Sequence, residues 1–150
     1  PILERLHGRE VTFIADVDGV PCRARFDIYE GGEAADLKSA SDASPSGFNR
    51  SVAKWGYHLQ RRWYDDVHHA ETGHRLTGFP LIVVETTAPY LVGVYDLDWM
   101  YDDKAAQKCR DARTRYRECV ATGVWPGYGR ATLTAPTWLV YEDADEEITV

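Results

Sequence analysis

Long apolar stretches are missing from this sequence. No run of 18 apolar residues occurs in it, so nothing spans a membrane as a helix. The opening residues, Pro-Ile-Leu-Glu-Arg, carry neither a signal-peptide pattern nor an initiating Met, which reads as an excised or processed fragment. Cysteine is scarce: Cys22, Cys109 and Cys119 stand without C-x-x-C spacing. Three scattered thiols argue against a Cys₄ zinc site or an iron–sulfur cluster. They are expected to be reduced, buried and cytosolic. There is no internal repeat and no low-complexity linker. An excess of positive charge is missing too: the net charge of −7 speaks at first against a nucleic-acid partner.

What is present is enough for one domain with a real core, since 44% of the 150 residues are hydrophobic and 12% aromatic. The acidity is uneven. Five acids, Glu142, Asp143, Asp145, Glu146 and Glu147, crowd the C-terminus, and without them the balance is only −2. We therefore divide the chain into a core over residues 1–141 and an acidic, solvated tail over 142–150. Residues 23–62 hold seven bases against five acids, room for a local basic cleft.

Periodicity predicts strands first. Residues 11–17 alternate, Asp18-Gly19 is a hairpin signal, and residues 20–29 return. Cys22, Ala24, Phe26 and Ile28 are expected on one face, with Arg23, Arg25, Asp27 and Tyr29 on the other. Gly31-Gly32 turns the chain into a third strand over 33–39. Ser44-Pro45 reads as an N-cap followed by a proline in the first turn, opening a helix to about residue 55. Gly56 breaks it. A second helix over 57–71 has the stripe Leu59, Trp63, Val67 and Ala70, closed by Gly73. Strands follow at 79–86 and 90–96. A long helix over 98–122 carries Cys109, Ala112, Tyr116 and Cys119 on one face and ends at Gly123. Residues 125–129 read as a rigid loop. The fold class is α+β: a mixed, mostly antiparallel sheet flanked by helices.

One constellation carries chemistry. Asp36 and Lys38 are two apart in a strand and share a face, while Leu37 is expected to point into the core. Asp27 lies on the preceding strand. Adjacent carboxylates repel, and a divalent cation resolves the repulsion. Hard oxygens suit Mg²⁺ or Mn²⁺, with the Leu37 carbonyl as a further donor. Lys38 would hold or deprotonate the attacking water, or neutralise charge growing on a phosphate. A D-x-K triplet by itself commonly marks a solvated strand edge, so Asp27 and the wider context decide.

That context resembles a known family. The run from Gly19 reads G-V-P-C-R-A-R-F-D-I, then A-D-L-K-S-A, D-A-S-P-S-G-F and W-G-Y-H-L-Q-R-R-W-Y; V-V-E-T-T-A-P-Y and G-V-W-P-G-Y come later. The order resembles the RecE-like (exonuclease VIII) exonucleases of the PD-(D/E)XK superfamily over residues 11–138. The resemblance implies Asp27 and Asp36 as metal ligands, Lys38 as the catalytic lysine, and Gln60 with Tyr64 as the Q-x-x-x-Y pair. That pair sits at i, i+4 on one helix face, where Gln60 contacts DNA or orients the site. Family members carry an upstream helix with further active-site residues, which this sequence begins too late to show; Glu10 is the candidate match to a family glutamate.

Arg23 and Arg25, on Asp27's strand face, lead the candidate DNA contacts, joined by Ser39, His58 and Arg61. Arg50, Lys54 and Arg62 are further phosphate candidates. His58 is assigned either a structural or a phosphate role. His68, His69 and His74 read as a solvated helix end rather than a zinc site. Glu85 either lines the cleft or marks the strand's exit. The implied activity is exonucleolytic hydrolysis at duplex DNA ends, in the cytoplasm of a bacterium or encoded by a phage. The implied partners are a single-strand annealing protein and further copies of the chain in a homo-oligomer. The rival reading is a non-catalytic DNA-binding or assembly module that keeps the fold. A CRISPR-associated nuclease sharing the D…D-x-K logic uses four cysteines, and three argue against it.

Overall fold

The computed structural model describes residues 2–140. The acidic segment 142–150 lies outside them. After a short helix α1 (Ile2–Arg5) come β1 (Gly8–Val17), β2 (Val20–Glu30) and β3 (Glu33–Ala40). Two helices, α2 (Pro45–Trp55) and α3 (Tyr57–Thr72), lead to β4 (Leu81–Glu85) and β5 (Val92–Tyr95). The long α4 (Trp99–Thr122) and the short α5 (Thr137–Val140) complete the chain. The five strands lie in sequence order, and every neighbouring pair is antiparallel except β3 with β4. That parallel pair needs a crossover, and α2 and α3 supply it. The architecture is the mixed α+β sheet with flanking helices that the periodicity predicts. No helix among the described residues is long and apolar enough to cross a membrane.

Local signals set the helix ends. Ser44 accepts from the Gly47 amide, with Pro45 in the first turn. Gly56 ends α2 and opens α3 at φ 72°, a left-handed conformation that glycine adopts without strain. Asp98 caps α4 by accepting from the Met100 and Tyr101 amides. Gly73 and Gly123 close α3 and α4 in left-handed caps.

The main core lies between the sheet and α2–α3. Val20, Cys22, Ala24 and Phe26 of β2 meet Phe48, Val52 and Val67 of the helices, with Phe79, Leu81 and Val83 beside them. A smaller cluster, Leu6, Ile28, Ala35 and Ile82, fills the other face. Four expected placements are corrected here. Ile28 does not share a face with Phe26; it joins the second cluster, while Tyr29 packs against Phe26 at 5.4 Å. Alternation therefore breaks at Asp27. Leu37 does not enter the core but is 50% exposed on the outer sheet face. Ala70 is exposed, and α3 instead buries Asp66 and His68. On α4, Ala112 and Tyr116 are exposed, and Arg113 is buried in their place. Each buried polar group has partners that offset its lost hydration. His68 bonds the Tyr29 hydroxyl at 3.0 Å and the His74 carbonyl at 2.9 Å, so it is not part of a solvated turn. Arg113 is paired with Asp66 at 3.1 Å and Asp18 at 3.0 Å.

Candidate active site

The break in alternation at Asp27 opens the sheet. β2 and β3 pair only through Ile28–Ala35, Tyr29–Ala34 and Glu30–Glu33. Beyond Ile28 and Ala35 the strands part: β2 stays with β1, and β3 goes on with β4. Asp27 and Asp36 are the next residues along each arm, so they face one another at the fork. In place of a ladder bond, Asp27 Oδ2 accepts from the Leu37 amide at 2.8 Å. The side chain thus ties the two arms together just where the backbone pairing stops.

Behind the fork stands α3. Gln60 donates from Nε2 to Asp36 Oδ1 at 2.7 Å and accepts at Oε1 from Lys38 Nζ at 2.9 Å. The Lys38 ammonium also pairs with Asp36 Oδ2. Asp36, Lys38 and Gln60 therefore close a triangle that is almost dry: the Asp36 and Lys38 side chains are 2% and 14% exposed. Lys38 Nζ further lies 4.6 Å from the Tyr57 ring centroid, a cation–π contact that helps hold it. Tyr64, one turn beyond Gln60, packs edge-on against Phe26 at 5.1 Å and Phe79 at 6.1 Å. It braces the helix turn that carries Gln60.

Burial pushes the Asp36 carboxyl above its ordinary range; Lys38 and Gln60 oppose the rise, while the Asp27 charge adds to it. An acid whose ionised form is strained by burial and a like charge is the environment that a bound dication relieves. The donors suit a hard one: two carboxylates at the fork, with the Leu37 carbonyl directly after Asp36 in sequence. Among the described residues no three His, Cys, Asp or Glu side chains cluster as a metal-ligand set. Two protein carboxylates would leave coordination positions for water and a phosphate, the usual arrangement for Mg²⁺.

The other candidates divide. Arg23 and Arg25 lie exposed on the β2 arm; Arg25 pairs with Glu10 at 2.7 Å. Ser39 is exposed on the β3 arm, one residue past Lys38. His58 is corrected: it is buried, with Nδ1 3.3 Å from the Val52 carbonyl and its ring against Tyr101, so its role is structural. Arg61 and Arg62 both pair with Asp102 of α4 at 3.0 Å and hold the two helices together. Glu85 accepts from the Ala43 amide at 3.1 Å and fixes the approach to α2. The carboxylate–arginine network around Asp66 escaped the sequence reading. Its residues are scattered from 18 to 113, and charged residues on a helix read by default as solvated.

Residues 6–135 match the family described as a PDDEXK-like domain of unknown function (DUF3799), and the chain belongs to that family. Among solved structures it resembles the crystal structure of a protein named "Putative exonuclease" from Eubacterium rectale. The TM-score is 0.63 at 16% identity, over 95% of this chain and 57% of that one. At that identity the likeness shows the fold, and this chain spans little more than half of its neighbour's length. No curated protein matches the sequence.

Proposed function

We propose that this chain is the core of a metal-dependent deoxyribonuclease that hydrolyses phosphodiester bonds at duplex DNA ends. The observation that carries the reading is the buried Asp36–Lys38–Gln60 triangle with Asp27 facing it across the fork. In this reading Asp27, Asp36 and the Leu37 carbonyl hold Mg²⁺, with Mn²⁺ as a substitute. Once bound, the ion supplies charge stabilisation at the phosphoryl oxygens and a more acidic water. The rest is done by the chain. Lys38 Nζ holds the attacking water or offsets charge on the phosphate. Gln60 keeps that ammonium and the Asp36 carboxylate in fixed orientation, and Tyr64 steadies the turn that bears Gln60. Arg23, Arg25 and Ser39 flank the fork and contact the DNA backbone.

The narrower assignment rests on the order of sequence motifs. It comprises a RecE-like exonuclease, processive at ends, acting in phage-type recombination beside a single-strand annealing protein, as a homo-oligomer. The test is degradation of an end-labelled duplex with and without Mg²⁺. Asp36→Asn and Lys38→Ala are expected to lose roughly 10²–10³-fold in rate or more. Mn²⁺ should raise the melting temperature of the parent but not of Asp36→Asn, because only a ligand held by the native state stabilises it. Equal digestion by parent and Lys38→Ala overturns the lysine assignment. DNA binding with no hydrolysis under any divalent ion marks the non-catalytic module instead.

A further inference from the structure

Beside the triangle, α3 and α4 part to leave an open cleft of about 290 Å³. Leu59, Trp63, Tyr64, Cys109 and Ala112 wall it, with Lys108 and Gln60 contributing the polar lining. Gln60 lines the cleft and also bonds Asp36 and Lys38, so the cleft lies beside the candidate active site. The aromatic walls are held in place. Trp63 Nε1 donates to the Arg23 carbonyl at 3.2 Å, and the Arg113 guanidinium lies 5.6 Å from the indole centroid. Tyr64 is wedged against Phe26 and Phe79. Aromatic surface fixed in advance offers stacking area at low entropic cost. Lys108 adds one cation to a lining that is otherwise apolar. Flat apolar walls with an ammonium beside them, next to a phosphodiester site, match the two chemistries of a nucleotide.

We infer that this cleft receives an unpaired nucleobase from the strand under attack, the base adjoining the phosphate at Lys38. The inference rests on the nuclease reading and adds a base subsite to it. The walls also say how that subsite selects. The Gln60 amide is engaged at both ends by Asp36 and Lys38. Apart from the Tyr64 hydroxyl and Lys108, the remaining wall side chains offer no group that could read a base edge. Stacking therefore dominates in holding the base, and hydrogen-bond preference among bases is confined to the Tyr64 hydroxyl and Lys108.

Ala112 is exposed on α4, so Ala112→Phe fills the cleft from outside the core, and Ala112→Ser is the control that does not. Binding is measured in EDTA by fluorescence anisotropy, on a duplex ending in one unpaired nucleotide with its base intact or replaced by an abasic sugar. The parent and Ala112→Ser should prefer the intact end by roughly tenfold, the worth of one stacked base. Ala112→Phe should bind both ends equally. A parent indifferent to the base, or an Ala112→Phe that still discriminates, overturns the subsite. Photocrosslinking of a terminal 5-iododeoxyuridine to the parent chain needs no variant. It should map to Trp63 or Tyr64, and mapping elsewhere also overturns the proposal. Because every arm omits metal, a chain that fails to hydrolyse DNA sinks the nuclease reading without deciding this one.

Discussion

Gln60 serves two opposite charges at once. Its amide hydrogen donates to the Asp36 carboxylate, and its carbonyl accepts from the Lys38 ammonium. Removing it frees both groups to rotate while leaving them in place. Gln60→Ala is expected to lower the metal-dependent hydrolysis rate about 10–100-fold, as loss of an outer-shell partner commonly does. It should also cost about 1–3 kcal/mol of stability, since Asp36 Oδ1 is left buried without a partner. Single-turnover rates and urea unfolding measure the two effects. A rate unchanged within a factor of two would remove Gln60 from the site. At this scale much was legible beforehand. Strand period put Asp36 and Lys38 on one face with Asp27 on the adjoining strand, whereas Gln60 and Tyr64 joined them only through the family resemblance. That Gln60 bridges the ions was not legible, because a spacing says which face a side chain shares and not which atom it reaches.

The helices and strands were readable wherever a local residue ends them. Ser44-Pro45, Gly56, Gly73 and Gly123 mark boundaries that the structure keeps. The faces of α3 and α4 were harder. An apolar stripe on α4 suggested Ala112 and Tyr116, yet Arg113 is the buried residue, 4% exposed at its side chain. Arg113 reaches Asp66 of α3 and Asp18 of the β1–β2 turn, and so clamps three elements. Without Arg113, Asp66 keeps Arg62 and Arg75 but loses one of its three cations, and the tie to Asp18 is gone. Arg113→Met is therefore expected to destabilise the fold by about 1–3 kcal/mol despite preserving much of the side-chain volume. Denaturant unfolding checks it; a change below about 1 kcal/mol would mean that the clamp behaves like an exposed ion pair.

For the molecule as a whole, the same network contributes to behaviour in acid. Burial alone would raise the Asp66 carboxyl, but Arg75, Arg62 and Arg113 together hold it below the usual carboxylate range. A carboxyl with a lowered native pKa takes up its proton in the unfolded chain first. Its stabilisation is thus complete above the ordinary carboxylate pKa and is lost as pH falls through the native value. Through Asp66, unfolding free energy should decline below about pH 4, whereas the raised Asp36 carboxyl acts in the opposite sense above that pH. In Arg113→Met, where Asp66 has one cation fewer, the decline should be shallower. An equally steep decline in that variant would place the acid sensitivity elsewhere. The net charge of −7 gave little warning of any of this, since a total charge says nothing about which acids are paired.

The order of residues along the chain was enough to determine the class of fold, the succession of the five strands and three main helices with the capped helix ends, and a short roster of candidate acids and bases. Those properties follow from local causes: side-chain period, caps, turns and the spacing of neighbours. Only the tertiary structure decided that β2 and β3 split at Asp27 and Asp36, that Leu37 faces outward, and that His58 and Arg113 are buried. It alone brought α3 against the fork and left an apolar cleft next to Gln60. These depend on how separately formed elements pack, and packing is settled by contacts between residues tens of positions apart, which no local pattern records.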